Sequence, residues 1–261
     1  MTRRRFYVPA QSISADTAVL PPEQAHHLRD VLRLSVGDQV ELFDGQGNGY
    51  TGIITDNSRE VRVGRLKRQV SAPIPRPRLT LAAALIKPDR FEWMLQKATE
   101  LGADEFIPLT TRFTNVHISG QRLEGRLQRW KRIVTEAARQ CGRQDVPDVL
   151  PPVEFARFLE DGRLTPLSRF ILLEGAPRLS IPDWTGPGGA LLCIGPEGGW
   201  DQSELDAAAN AGFQLFNLGQ SILRSETAAI AAVALFRFHV ARMAVGGNPF
   251  PATSRVCEVK P

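Results

Sequence analysis

The spacing of apolar positions changes near residue 79. Before it, short β-rich stretches alternate apolar with polar residues: 6–9, 39–43, 50–55 and 60–66 read as strands, and Val36-Gly37-Asp38 as a turn. Residues 22–34 are amphipathic at helical spacing, with Ala25, Leu28, Val31 and Leu32 on one side. Several short strands with one helix predict a small barrel over residues 1–70. The stretch 71–78, Ser-Ala-Pro-Ile-Pro-Arg-Pro-Arg, is proline-rich. Proline fixes φ and restricts the residue before it, so this segment is expected to be an extended, stiff linker at a domain boundary.

From residue 79 the pattern alternates strands with helices. The unbroken apolar run 79–86 fits a strand buried on both faces. Residues 88–101 follow as a helix with Phe91, Met94, Leu95 and Ala98 as its stripe and Gly102 as C-cap. Further strands are expected at 105–109, 169–173, 190–194 and 213–218, and helices at 122–141 and 227–245. Asp201 with Glu204 has capping-box spacing for one more helix. This order predicts an α/β domain over 79–245 with a mostly parallel sheet, followed by a loose tail at 246–261.

Two of the buried-strand patterns end in glycine-rich loops that run into helices. One loop is Gly195-Pro196-Glu197-Gly198-Gly199; the other runs from Leu218-Gly219 to Arg224-Ser225-Glu226-Thr227-Ala228. In open α/β sheets ligands bind beyond the carboxyl ends of the strands, and glycine lets backbone approach a ligand closely. The pair reads as an active site, against the plainer alternative of ordinary turns. Asp44-Gly45-Gln46-Gly47-Asn48-Gly49 also looks like a cofactor loop. A strand-like segment follows it where a cofactor loop needs a helix, so it reads as a hairpin turn.

Charge adds a second theme. The 261 residues carry 32 Lys+Arg against 28 Asp+Glu, a net +4, which alone says little. Its distribution says more. In the helix 122–141, Leu123, Leu127, Trp130, Val134 and Ala137 share one face, while Arg122, Arg126 and Arg129 form an opposite stripe with Arg132, Arg139 and Arg143 beside it. Such a face is either merely solvated or suited to nucleic-acid phosphates. The arm Arg3, Arg4 and Arg5, and Arg29 with Arg33, add weight to the nucleic-acid reading. The three cysteines and four histidines show no metal or disulfide spacing, and no metal is expected. No run is long and apolar enough to span a bilayer, and nothing apolar follows the N-terminal arginines as in a signal peptide. No membrane partner and a cytoplasmic location are the defaults.

Five segments together resemble a known family. They are Ala25-His26-His27-Leu28-Arg29-Asp30-Val31-Leu32-Arg33-Leu34 with the turn after it, Gln96-Lys97-Ala98-Thr99-Glu100-Leu101-Gly102, Glu136-Ala137-Ala138-Arg139-Gln140-Cys141-Gly142-Arg143, and the two glycine-rich loops. Their order resembles ribosomal RNA small subunit methyltransferase E, of the SPOUT superfamily, over nearly the whole chain. The resemblance implies a PUA-like barrel, a SPOUT α/β domain with a deep C-terminal trefoil knot, and a homodimer partly buried by the last helix. It implies methyl transfer from S-adenosylmethionine to N3 of one uridine of 16S rRNA in the assembled small subunit. The cofactor would be held by Leu173-Glu174-Gly175, by Ile194 with Gly195, Pro196, Glu197, Gly198 and Gly199, and by Leu218, Gly219, Ile222, Leu223, Thr227 and Ala228. Arg224 is the candidate cation for the charge that develops on the uracil. Glu226 is either a base or a holder of Arg224 and of the helix start. Asn115, Arg139 and Arg143 are further RNA-side candidates. Two other readings stay open: a related methyltransferase acting on another RNA or atom, and a non-catalytic RNA-binding or assembly factor.

Overall fold

The computed structural model describes residues 4–69, 76–116, 118, 120–176 and 188–244. Strands β1 (Arg5–Tyr7), β2 (Thr17–Val19), β3 (Gln39–Phe43), β4 (Gly49–Asn57) and β5 (Val61–Gln69) form a sheet in the order β1-β3-β4-β5-β2. Only the β1–β3 pair is parallel. Alternation along the strands turns Val40, Leu42, Val61 and Val63 inward, where they meet Phe6, Val8, Leu28 and Ile54. The glycine-rich stretch at 44–49 is the β3–β4 turn, as its sequence context indicates. The buried Asp44 carboxylate accepts the amides of Gln46 at 2.8 Å and Asn48 at 3.0 Å. Strand β2, too short to leave a periodic signal, is absent from the sequence reading.

The segment expected as one helix over 22–34 departs from expectation. It is α-helical only as α1 (Pro22–His26), then widens into a π turn over His27–Val31. The Leu32 amide reaches back to the His27 carbonyl at 3.0 Å, five residues away. The wider turn swings Val31 out to 59% exposure. Arg33, at φ 52°, ends the helix and returns Leu34 to the core.

The second unit is built on β6 (Leu79–Ala84), α2 (Pro88–Leu101), β7 (Glu105–Thr110), α3 (Gly120–Cys141), β8 (Asp148–Val149), β9 (Val153–Glu154), α4 (Phe155–Leu159), β10 (Ser168–Leu172), β11 (Ala190–Ile194), α5 (Gln202–Asn210), β12 (Gln214–Phe216) and α6 (Ser225–Ala244). Its sheet runs β12-β10-β11-β6-β7-β8, with β9 also on β7, and every pair is parallel. All of β6 is buried. Leu79, Leu81 and Ala83 join one core with α2, α3 and α6, and Ala82 joins the other with α4 and α5. Three layers are therefore what the unbroken apolar run requires. Gly102 caps α2 at φ 105°, and Asp201 with Glu204 closes a capping box on α5. Beyond β12 the chain turns back across the sheet, so that α6 packs on β11, β6 and α2.

A buried arginine joins the units, beside a cluster of arginines on one aspartate. Arg5, on β1, lies 4.3 Å over the Phe43 ring and donates to the carbonyls of Ala138 at 3.3 Å and Arg139 at 3.4 Å, the last turn of α3. A cation there satisfies orphan carbonyls and meets the negative end of the helix dipole. Beside it, Asp104 accepts from Arg76 at 2.7 Å, Arg143 at 3.0 Å, Arg237 at 2.5 Å and the Leu79 amide at 2.9 Å. Burial draws the Arg237 guanidinium below its ordinary value, with Asp104 pulling the other way.

Candidate active site

The carboxyl ends of β10, β11 and β12 lie side by side and open a cleft of about 740 Å³. That size suits a small-molecule site, since such pockets hold about 300–1,000 Å³. Three loops line it: Leu173-Glu174-Gly175 after β10, Gly195 to Gly199 after β11, and Asn217 to Arg224 after β12. Leu172, Ile194, Leu218 and Leu223 give it apolar walls.

Local chemistry holds each loop. Trp200 donates its indole N–H to the Leu172 carbonyl at 3.1 Å, tying the second loop to the first. A Cβ on Gly195 would stand 2.9 Å from that indole, so the strand end tolerates no side chain. Gly195→Ala should therefore cost about 1–3 kcal/mol, as overpacking of a filled site does. Thermal unfolding checks this, and an unchanged midpoint would mean that Trp200 yields freely. Asn217 pins the third loop through the Ala176 carbonyl at 2.6 Å and the Gly219 amide at 3.2 Å. Ser225, at the start of α6, donates its hydroxyl to the Gly195 carbonyl at 2.5 Å, joining the third loop to the second.

Most residues expected to hold a cofactor line this cleft, from Leu173 through Ala228, and Arg224 lines it too. Thr227 does not. On the first turn of α6, Ser225 and Ala228 face the cleft, and helical spacing turns Thr227 to solvent. Glu226 is also off the wall. The residue is 6% exposed, and its Oε1 lies 3.8 Å from Arg90 Nε, so it holds Arg90 rather than Arg224. Arg90 pairs with Glu197 as well. Arg224 is exposed and makes no ion pair among the described residues, which leaves its guanidinium free for a ligand. Arg90, Leu172, Trp200 and Asn217 line the cleft from outside the loops that the sequence marks, while Ser221 and Ser225 line it from within the third. Arg90 had one signal: a cation in the first turn of a helix at the carboxyl end of a central strand.

The arginine face is less free than its sequence implies. Arg126 and Arg129 both pair with Glu92 of α2, at 3.3 and 2.6 Å, and Arg139 pairs with Glu136 at 2.7 Å. Helix periodicity cannot reveal acidic partners from a neighbouring helix. Two candidates for RNA contact are corrected outright. Arg143 is buried against Asp104, Asp145 and the Ala103 carbonyl, and Arg5 is buried on α3, so both are structural. Arg4 pairs with Asp38, and Arg29 with the Ser58 carbonyl. Arg33, Asn115 and Arg122 are exposed, while Arg3 lies outside the described residues. Among the described residues no three His, Cys, Asp or Glu side chains converge as metal ligands, and no helix is long and apolar enough to cross a membrane.

The chain matches known proteins over nearly its whole length. Residues 73–237 match the RNA methyltransferase domain family, and residues 20–63 the RNA methyltransferase PUA domain. The ribosomal RNA small subunit methyltransferase E of Synechocystis sp. is 37% identical over 90% of this chain and 77% of its own length. The protein of the same name from Mycobacterium bovis is 31% identical over 89% of this chain and 90% of its own. A crystal structure of that enzyme from Neisseria gonorrhoeae, bound to S-adenosyl methionine, superposes with a TM-score of 0.80 at 31% identity, covering 93% of this chain and 98% of that one.

Proposed function

This chain belongs to the ribosomal RNA small subunit methyltransferase E family, an S-adenosylmethionine-dependent group of RNA methyltransferases, and on that premise we propose that its acceptor is N3 of one uridine of 16S rRNA in the assembled small subunit. The observation that carries the reading is the cleft wall: three strand-end loops with the Arg224 guanidinium, which makes no ion pair among the described residues. The wall fits the cofactor. The loop from Gly195 to Gly199 brings backbone polar groups to the wall, and Leu173, Leu218 and Leu223 offer apolar faces to an adenine ring.

When bound, S-adenosylmethionine supplies an electrophilic methyl group on its sulfonium. The protein's task is then to orient and to stabilise charge. Uracil N3 is a poor nucleophile until its proton leaves. Arg224 would donate to O2 or O4 and hold the anion that forms as the proton departs. Glu226, buried behind Arg90, does not line the cleft, which favours the holding role over that of base. A base reached at its Watson–Crick edge has to be extruded from its stack, and the barrel with the exposed cations of α3 would grip the flanking RNA.

The same reading takes the protein to be a cytoplasmic homodimer with a trefoil knot near β12 and α6. Supporting the dimer, Trp93 and Leu101 on α2 stay exposed, and so do Leu235 and Phe238 on the adjoining α6. Apolar surface of that kind marks interfaces. Supporting RNA binding, Arg33 and Arg122 are exposed. Replacing both with alanine should flatten the dependence of RNA affinity on salt by about 0.7–0.9 logarithmic units for each phosphate no longer neutralised. Filter binding across a salt series checks this, and parallel lines would remove both residues from the interface.

Nucleoside mass spectrometry tests the acceptor. Small subunits lacking the modification, incubated with the protein and S-adenosylmethionine, should gain 3-methyluridine in 16S rRNA. A different methylated nucleoside, or no product from protein that binds the cofactor, would replace this acceptor with another.

A further inference from the structure

The cleft contains a closed circuit of interactions that starts and ends on α2. Arg90 stands in the first turn of that helix, at the carboxyl end of β6. Its Nη1 pairs with Glu197 in the loop after β11, and its Nε faces Glu226 Oε1 at 3.8 Å in the first turn of α6. Glu226 is preceded by Ser225, whose hydroxyl holds the Gly195 carbonyl at 2.5 Å, and Gly195 leads back to Glu197. The ring thus runs Arg90, Glu197, Gly195, Ser225, Glu226 and back to Arg90. It ties together two of the loops that line the cleft.

We propose that Arg90 is a positioning residue that holds these two loops in register and so pre-forms the cofactor site. Three observations support it. Arg90 lines the cleft but is engaged on both sides by carboxylates, so it is not free to take a substrate charge as Arg224 is. Glu226 is buried, its Oε2 has no hydrogen-bond partner, and Arg90 is its ion-pair partner among the described residues. Without Arg90 that carboxylate would be buried and uncompensated, and the first turn of α6 would have to shift to hydrate it. Ser225 sits on that same turn and would carry the displacement to Gly195. The Trp200 and Asn217 contacts hold each loop to the strand ends, and the ring adds the tie between the two loops. A site that must be assembled on binding loses affinity in proportion to how seldom it is formed.

The inference rests on use of the cofactor and not on the acceptor uridine. Isothermal titration of the full-length protein with S-adenosylmethionine, without RNA, therefore tests it whatever RNA is methylated. Arg90→Ala should weaken cofactor affinity about tenfold or more, and Arg90→Lys should recover part of the loss. Glu197→Ala, on a half-exposed side chain, should give a similar loss without threatening the fold. The double variant should be no worse than the weaker single one, because both break the same ring. Steady-state methylation of small subunits should show the Michaelis constant for cofactor rising while the rate at saturating cofactor holds within about threefold. Wild-type affinity in both alanine variants would overturn the proposal, as would losses that multiply in the double variant. A fall in saturating rate with affinity unchanged would overturn it too, and would make Arg90 a catalytic residue.

Discussion

Replacing Arg224 with alanine should lower turnover by about a hundredfold to a thousandfold, the usual effect of deleting a donor aimed at developing charge. Affinity for S-adenosylmethionine should change by no more than about threefold, since an interaction made only in the transition state leaves ground-state binding alone. The structure gives the reason for the split. Arg224 reaches the cleft from the exposed end of the third loop, whereas the residues against which the cofactor would lie are mostly backbone and apolar side chains. Among the described residues its guanidinium pairs with no carboxylate, so the substitution orphans no buried partner there and the fold should not suffer. Lysine at this position should recover only part of the rate, because a point charge does not reproduce the planar donor fork. Single-turnover methylation of small subunits, with titration calorimetry for the cofactor, separates the two effects. Wild-type turnover in Arg224→Ala would remove it from the mechanism.

Asp104→Ala should destabilise the protein by about 3–5 kcal/mol, the cost of breaking a buried ionic group by removing one side of it. This carboxylate serves three guanidiniums and one backbone amide. Arg143 and Arg237 are largely buried and would lose their shared anion together. Both keep carbonyl acceptors, Arg143 on Ala103 and Arg237 on Gly102, which limits the damage. Asp104→Asn keeps the shape and one acceptor, and should fall between alanine and the wild type. Urea unfolding followed by both circular dichroism and tryptophan fluorescence measures the change. A loss under about 1 kcal/mol would mean that the arginines find other partners.

Much of this architecture could be read from the chain, and the gaps have causes. The unbroken run at 79–86 required a central strand covered on both faces, and cap chemistry at Gly102 and Asp201 fixed two helix ends in the sequence itself. Strand ends followed by glycine-rich loops marked the cleft. What escaped detection depends on partners distant in sequence. Glu92, 37 residues from Arg129, neutralises a face that looked purely basic. Asp104 holds Arg143, 39 residues away, which its place beside the arginine stripe of the helix presented as a surface cation. Arg90 and Trp200 line the cleft because of how the sheet is ordered, and no local spacing encodes that order. At 27–31 a π turn broke the period on which the helix reading relied.

The Arg5 anchor also bears on how such a protein could be recombined. The arginine belongs to the first strand of the barrel, but its acceptors are the closing carbonyls of α3, more than 130 residues later. The turn at 44–49 likewise bonds to the segment just after that helix, Val146 to Gly45 at 2.9 Å and Gly47 to Gln144 at 3.1 Å. A boundary drawn in the proline-rich stretch would thus cut the covalent chain but not the interface. A chimaera that borrows a barrel from a relative would need the end of α3 and residues 142–146 from the same parent, so that the helix closes with its carbonyls where the arginine reaches them.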